Sequence, residues 1–198
     1  MRAIGYQQPG TIDRTEALVD IELPDPNATG RDLLVEVKAV SVNPVDTKVR
    51  AGSGSIHGDW RVLGWDAAGV VRAVGPEVRG FEPGDEVFYA GSIGREGTNA
   101  ELHLVDERIV GKKPASLDWA EAAALPLTAI TAWEALFERL SVRTPVAGAA
   151  HALLIVGGAG AVGSMAIQLA RQVPELIVIA TASRPETQAW VGELGAHH

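Results

Sequence analysis

Residues 153–172 read LLIVGGAGAVGSMAIQLARQ, a β-branched and leucine-rich run that passes into glycines and then directly into helical periodicity. The run from Ala152 to Val156 is apolar at every position, as in a parallel strand covered on both faces. Beyond the glycines, apolar residues at 162, 165, 166, 169, 170 and 173 share one helical face, and Pro174 ends it. A second apolar run, LIVIAT (176–181), precedes SRPETQAWVGELG. There Ser183 and Glu186 have the spacing of a capping box, and Gly195 suits a C-terminal cap. Strand, helix, strand, helix is the start of a doubly wound α/β sheet.

Gly158, Gly160 and Gly163 form a G-x-G-x-x-G with a strand before it and a helix after it, the context that pattern needs to bind a dinucleotide. Gly158 is expected to make the tight turn, Gly160 to admit a pyrophosphate, and Gly163 to let helix and strand approach. The first helical residues, Ala161 and Val162, would then offer their N–H groups to phosphate. A phosphate loop would need Lys where Ser164 stands. The competing reading is a purely structural glycine turn.

An NAD site usually places Asp or Glu about 20 residues further on, to hold the ribose 2′-hydroxyl. This chain has Thr181-Ala182-Ser183-Arg184 there, and no acid before Glu186. Ser183 can donate to a 2′-phosphate and Arg184 can pair with it, so NADP(H) is the expected cofactor. Alternatively, Ser183 only caps the helix and Arg184 is a solvated charge.

Ahead of this region the texture differs. DLLVEVKAVSV (32–42), GWDAAGVVRAVG (64–75), GDEVFYAG (84–91) and NAELHLVDERIVGKKP (99–114) read as short strands between Gly/Pro turns, a barrel or sandwich pattern. From residue 117 the period becomes helical, with Pro126 marking a break or the start of a second helix. The expected organisation is mixed β and α/β: residues 1–120 a β-barrel domain, residues 121–198 the start of a nucleotide-binding domain. A net charge of −8 opposes binding to nucleic acid or anionic membranes. With no cysteine in 198 residues, disulfides and thiolate metal sites are excluded. The start, MRAIGYQQPG, lacks the apolar core of a signal peptide. The longest apolar stretch, 152–163, falls short of the ~18 residues of a membrane span. A cytoplasmic protein is expected.

Five stretches, VSVNPVDTKVRAG (40–52), VLGWDAAGVVRAVG (62–75), FEPGDEVFYAG (81–91), AAALPLTAITAWEAL (122–136) and VGGAGAVGSMAIQLAR (156–171), resemble the medium-chain dehydrogenase/reductase family in its own order. Within that family the chain is similar to the quinone-oxidoreductase-like, zinc-type alcohol dehydrogenase-like branch. The resemblance implies a GroES-like barrel followed by a Rossmann domain, with catalysis in the cleft between them and a homodimer when full length. It implies catalytic roles for Asn43, Asp66 and Tyr89, a substrate pocket including Asp46 and Trp65, and Thr128 and Thr131 near the nicotinamide. The plainer readings are a turn-forming Asn43 before Pro44, a core Trp65, an Asp66 bonded to backbone and a strand-ending Tyr89.

Zinc-bearing relatives have Cys where this chain has Asn43, a His-Glu pair where it has Trp65-Asp66, and a third ligand near Leu127. The histidines (57, 103, 151, 197, 198) show no ligand spacing, and three ligands are the least a catalytic zinc requires. No metal is expected. Without a Lewis acid, the accessible chemistry is hydride delivery from NADPH to a quinone or α,β-unsaturated carbonyl. A non-catalytic, NADPH-binding structural or regulatory protein is the alternative. Two parallel strands cannot finish a sheet, so the natural protein is expected to continue past residue 198 with further strands and a return segment to the barrel.

Overall fold

The structure, a computed structural model, describes residues 1–52 and 60–198; His57 lies outside the described residues. The chain divides into two compact units, Met1–Leu127 and Thr128–His198, a later division than the 120/121 expected from sequence. The first unit contains β1 (Arg2–Tyr6), β2 (Val19–Glu22), β3 (Asp32–Ser41), α1 (Pro44–Gly52) and β4 (Arg61–Val62). It continues with β5 (Asp66–Val74), β6 (Glu86–Ala90), β7 (Leu102–Asp106), β8 (Val110–Lys112) and α2 (Trp119–Ala123). The helix α2 belongs to this unit because Ala122 and Ala123 pack on Ala68 of β5.

Two antiparallel sheets result, ordered β7-β3-β5-β6-β8 and β2-β1-β4. Alternation drives the larger one: Leu33 and Val35 of β3 turn inward onto Ala67, Val71, Val87, Tyr89 and Val105. Residues 99–101 stitch the sheets together. Ile4 N–H donates to Asn99 O, Glu101 N–H to Arg2 O and Val37 N–H to Glu101 O. The short strands and Gly/Pro turns of the sequence thus give the antiparallel β unit expected of them.

The second unit is built from the remainder of α3 (Pro126–Trp133), β9 (Ala152–Ile155), α4 (Ala161–Ala170), β10 (Ile177–Ala180) and α5 (Pro185–Glu193). Of the two readings of Pro126 the structure takes the helix start: it opens α3, where a missing N–H costs nothing. Residues 134–139 widen to π-type spacing, Leu140 N–H reaching Ala135 O. Strands β9 and β10 are parallel, Leu153 opposite Val178. Ala166, Ile167 and Ala170 of α4 pack on Val178 and Val191, the helical stripe read from the sequence. After α5 the chain returns alongside β10, with His197 N–H on Val178 O and Ala180 N–H on His198 O. Among the described residues no helix is long and apolar enough to cross a membrane.

One glycine decides how closely β3 and β5 can pair. Gly69 lies opposite Val37, next to a register shift between Val37 and Ala39. A Cβ on it would sit 2.2 Å from Glu36 O, a backbone atom that cannot swing away. Gly69→Ala should therefore cost about 2 kcal/mol or more, read as a lowered melting temperature with the transition still cooperative.

Candidate functional site

The glycine turn follows from one left-handed residue and two close approaches. Gly157, not Gly158, takes the left-handed conformation, with φ of 71°. Gly158 is instead buried against the second strand, where a Cβ would lie 2.8 Å from Ala180 Cβ. The tight turn assigned to Gly158 is therefore corrected by one residue; the GG pair at 157–158 gave no local sign of which glycine would turn. Gly163 has the role expected of it, since a Cβ there would meet Gly157 O at 2.5 Å. Gly160 is the N-cap of α4, and no side chain caps the helix. The N–H groups of Ala161, Val162 and Gly163 thus open the helix uncapped by any side chain, at its positive end.

A groove of about 620 Å³ runs from this turn, with Gly157, Gly160, Thr181, Ser183, Arg184 and Thr187 among its lining residues. N–H donors that no side chain caps at one end, and a serine and an arginine at the other, fit a dinucleotide's phosphates. Thr181 was not singled out in the sequence; its hydroxyl accepts the Gly157 N–H at 2.9 Å and holds the turn. The capping box is also corrected. Pro185 forces its predecessor out of the helical region, so Arg184 (φ −115°, ψ 150°) is the N-cap. The Thr187 hydroxyl accepts the Arg184 N–H at 3.1 Å. Ser183 is left outside the helix, in the groove. Glu186, the first acid, is spent on Arg184 Nε at 2.9 Å. Thr128 and Thr131 lie on α3, not in the groove's lining.

In the first unit, Asn43, Asp46 and Asp66 form one buried network. Asp46 Oδ2 accepts the Asn43 backbone N–H at 2.7 Å, and its Oδ1 accepts the Gly64 N–H at 2.9 Å. Asp66 Oδ2 accepts from Asn43 Nδ2 at 2.8 Å, and Oδ1 from the Leu127 N–H at 2.8 Å. Burial pushes the Asp66 carboxyl up to about 6, against the pull of the Asn43 and Leu127 donors, with Asp46 adding to the rise.

Tyr89 and Trp65 stand apart from that network. Tyr89 is core, its side chain among Leu33, Val71 and Val105. Its hydroxyl meets His103 Nδ1 at 3.0 Å, while His103 Nε2 meets Glu96 O at 3.0 Å. A carbonyl can only accept, so Nε2 carries the proton and Nδ1 accepts the phenol's. Burial raises the Tyr89 hydroxyl well above its ordinary value and pushes His103 down to about 4. Trp65 packs with Tyr6, Val49 and Leu63. Both residues, expected at the substrate, are walls of the β unit. Tyr89 meets His103 of β7, and Trp65 meets Tyr6 of β1 and Val49 of α1, elements whose spatial order the sequence does not give.

The donor set does not fit a zinc ion. Among the described residues no three His, Cys, Asp or Glu side chains gather as a ligand group. Every oxygen of Asp46 and Asp66 already accepts an N–H, and both nitrogens of His103 are engaged.

Residues 29–115 match the alcohol dehydrogenase GroES-like domain. The chain is 45% identical over 197 residues to a zinc-type alcohol dehydrogenase-like protein of Staphylococcus aureus (strain COL), covering 99% of this chain and 58% of that one. It is 35% identical over 206 residues to the 2-methylene-furan-3-one reductase of Solanum lycopersicum, covering 99% of this chain and 50% of that one. A crystal structure from Rhizobium etli CFN 42, assigned by name to the zinc-dependent alcohol dehydrogenases, superposes with a TM-score of 0.97 at 69% identity. It covers 100% of this chain and 57% of that one. The quinone oxidoreductase of Escherichia coli complexed with NADPH gives a TM-score of 0.81 at 26% identity, over 99% of this chain and 57% of that one. The chain thus spans between half and three fifths of these relatives' length.

The elevated Asp66 value sets a pH signature. The folded form holds the Asp66 proton up to about 6, the unfolded form only to about 3.9. Asp66 therefore contributes most below the lower value, and that contribution is lost as pH rises through the upper one. Asp66→Asn cannot titrate. The melting temperature of the variant minus that of the wild type should climb between about pH 4 and pH 6 and level off above, as measured by thermal melts in matched buffers.

Proposed function

Because this chain belongs to the medium-chain dehydrogenase/reductase family, we propose that it carries the barrel and the first cofactor-binding elements of a zinc-independent, NADPH-dependent reductase of quinones or α,β-unsaturated carbonyls. The observation that carries the cofactor reading is the groove beside α4, where Ser183 and Arg184 stand and the first acid is held by Arg184. The relative crystallised as a quinone oxidoreductase complexed with NADPH supports that reading, and the 2-methylene-furan-3-one reductase relative supports the class of acceptor.

When bound, NADPH supplies a hydride. The remaining work belongs to the chain. The N–H groups of Ala161, Val162 and Gly163 hold the pyrophosphate at the helix's positive end. Ser183 and the Arg184 guanidinium hold the 2′-phosphate by charge-assisted hydrogen bonds. Asn43 is assigned to the acceptor's carbonyl, with Asp66 and Asp46 fixing it from behind. Thr128 and Thr131 are assigned to the nicotinamide end. The carbonyl compound or quinone gains the hydride and one solvent proton. We further infer a cytoplasmic protein, homodimeric when full length, acting on a small molecule rather than nucleic acid or membrane.

Isothermal titration should show tighter binding of NADPH than NADH. Arg184→Ala should narrow the gap by about 1–3 kcal/mol, the range of a hydrogen bond to a charged group. Equal or tighter binding of NADH to the wild type would end the NADP(H) assignment.

Metal content gives a separate check. Elemental analysis should find zinc well below one equivalent, and chelators should leave NADPH oxidation by a quinone such as 9,10-phenanthrenequinone unchanged. One tightly held zinc per chain would overturn the zinc-independent reading.

A further inference from the structure

We propose that protonation of Asp66 turns the Asn43 side-chain amide end for end, so that the group Asn43 presents changes from an acceptor to a donor. Asp66 is thereby a positioning residue, acting through Asn43. The consequence for carbonyl reduction rests on the function proposed above; the amide reversal itself does not.

An ionised carboxylate has no proton to give, so the amide nitrogen must face it, and Asn43 Nδ2 does so at 2.8 Å. The second Nδ2 contact, to Ser41 O, is long at 3.4 Å. Among the described residues no donor is recorded on Asn43 Oδ1. The ionised state therefore leaves Asn43 with a free oxygen, an acceptor. That is the wrong polarity for a carbonyl oxygen gaining negative charge as hydride arrives, which needs donors.

Protonation reverses the requirement. Asp66 Oδ1 keeps the Leu127 N–H, but Oδ2 now carries a hydrogen that needs an acceptor. Its existing partner supplies one if the amide rotates by half a turn, presenting Oδ1 inward and Nδ2 outward. The exchange gives up only the long Ser41 contact. No other part of Asn43 is free to respond. Its N–H is fixed on Asp46 Oδ2 at 2.7 Å, its carbonyl accepts the Asp46 N–H at 2.9 Å, and Pro44 follows.

On α1, Asp46 is the charged neighbour of Asp66. Across the ladders Asp66 faces Ser41 of β3 and Ala90 of β6, neither ionisable, and the Thr98 hydroxyl is on its main-chain oxygen at 3.4 Å. Burial brings Asp66 up to about 6, so a range of pH 4.5 to 8 spans its titration.

The test is side-chain amide NMR of the 15N-labelled protein, with 13C-labelled aspartate, between pH 4.5 and 8. Asn43→Ser assigns the Asn43 amide signals by their loss. The Asn43 15Nδ2 shift should step with the same midpoint as Asp66 13Cγ. In Asp66→Asn, whose own amide can donate to Asn43 Oδ1, the Asn43 signal should sit at the wild type's low-pH position at every pH. An Asn43 signal that stays still while Asp66 titrates overturns the proposal. So does an Asp66 that does not titrate in this range, or a variant signal at the high-pH position. For the functional half, kcat/KM for NADPH-dependent quinone reduction should fall about tenfold per pH unit above the Asp66 midpoint and be flat in Asp66→Asn. A flat wild-type profile alongside an NMR step overturns the positioning role alone. Absence of NADPH binding overturns the proposed function while leaving the NMR result to decide the reversal.

Discussion

A buried carboxylate is tolerable only when N–H donors replace the water it has lost. Asp46 and Asp66 meet that demand completely, with donors from Asn43, Gly64 and Leu127 reaching all four oxygens. The requirement draws four separate segments to one point: the start of α1, the turn before β5, β5 itself and the start of α3. Gly64 can serve only because it adopts φ of 98°, with Thr98 Oγ1 2.5 Å from where a Cβ would be. Leu127 is in the first turn of α3, so Asp66 also faces the positive end of a helix. Removing either carboxylate would take an acceptor from two N–H donors at once, a larger loss than one hydrogen bond.

The second unit solves a different problem, that of bringing backbone close to backbone. Gly158 and Gly163 stand where a side chain would collide, with Ala180 and with Gly157 and Gly158 respectively, while Gly157 supplies the left-handed turn. The result is a helix start with no side chain over it. At the other end of the groove, the Arg184–Glu186 pair is exposed. Such pairs contribute little, so a phosphate can claim the guanidinium at small cost.

What could be read in the sequence was local. The strand-to-helix change at 152–163, the apolar stripe of α4 and the alternation of β3 depend on residues within a few positions of one another. Gly163 was recognisable for the same reason. What escaped depended on partners brought from elsewhere. Tyr89 ends beside His103, and Trp65 beside Tyr6, because β6, β7 and β1 are assembled in an order that no short window encodes. The displaced cap at Arg184 is an exception of another kind. Its cause, Pro185, was in plain view, but the capping-box spacing of Ser183 and Glu186 outweighed it. The unit division shifted because α2, though helical in pattern, packs its alanines on the β sheet.

The Tyr89–His103 pair has a consequence for the protein's proton inventory. His103, held neutral by burial, ionises only near 4 in the folded chain, whereas an unfolded histidine takes up its proton near 6.5. Between these values the unfolded state carries the extra proton, and stability from His103 rises with pH. Asp66 does the reverse over nearly the same interval, since there the folded state carries the extra proton. Around pH 5 the two groups trade a proton between them on unfolding. Their contributions to proton exchange with the buffer then oppose each other, and the pH dependence that either group would give alone is blunted.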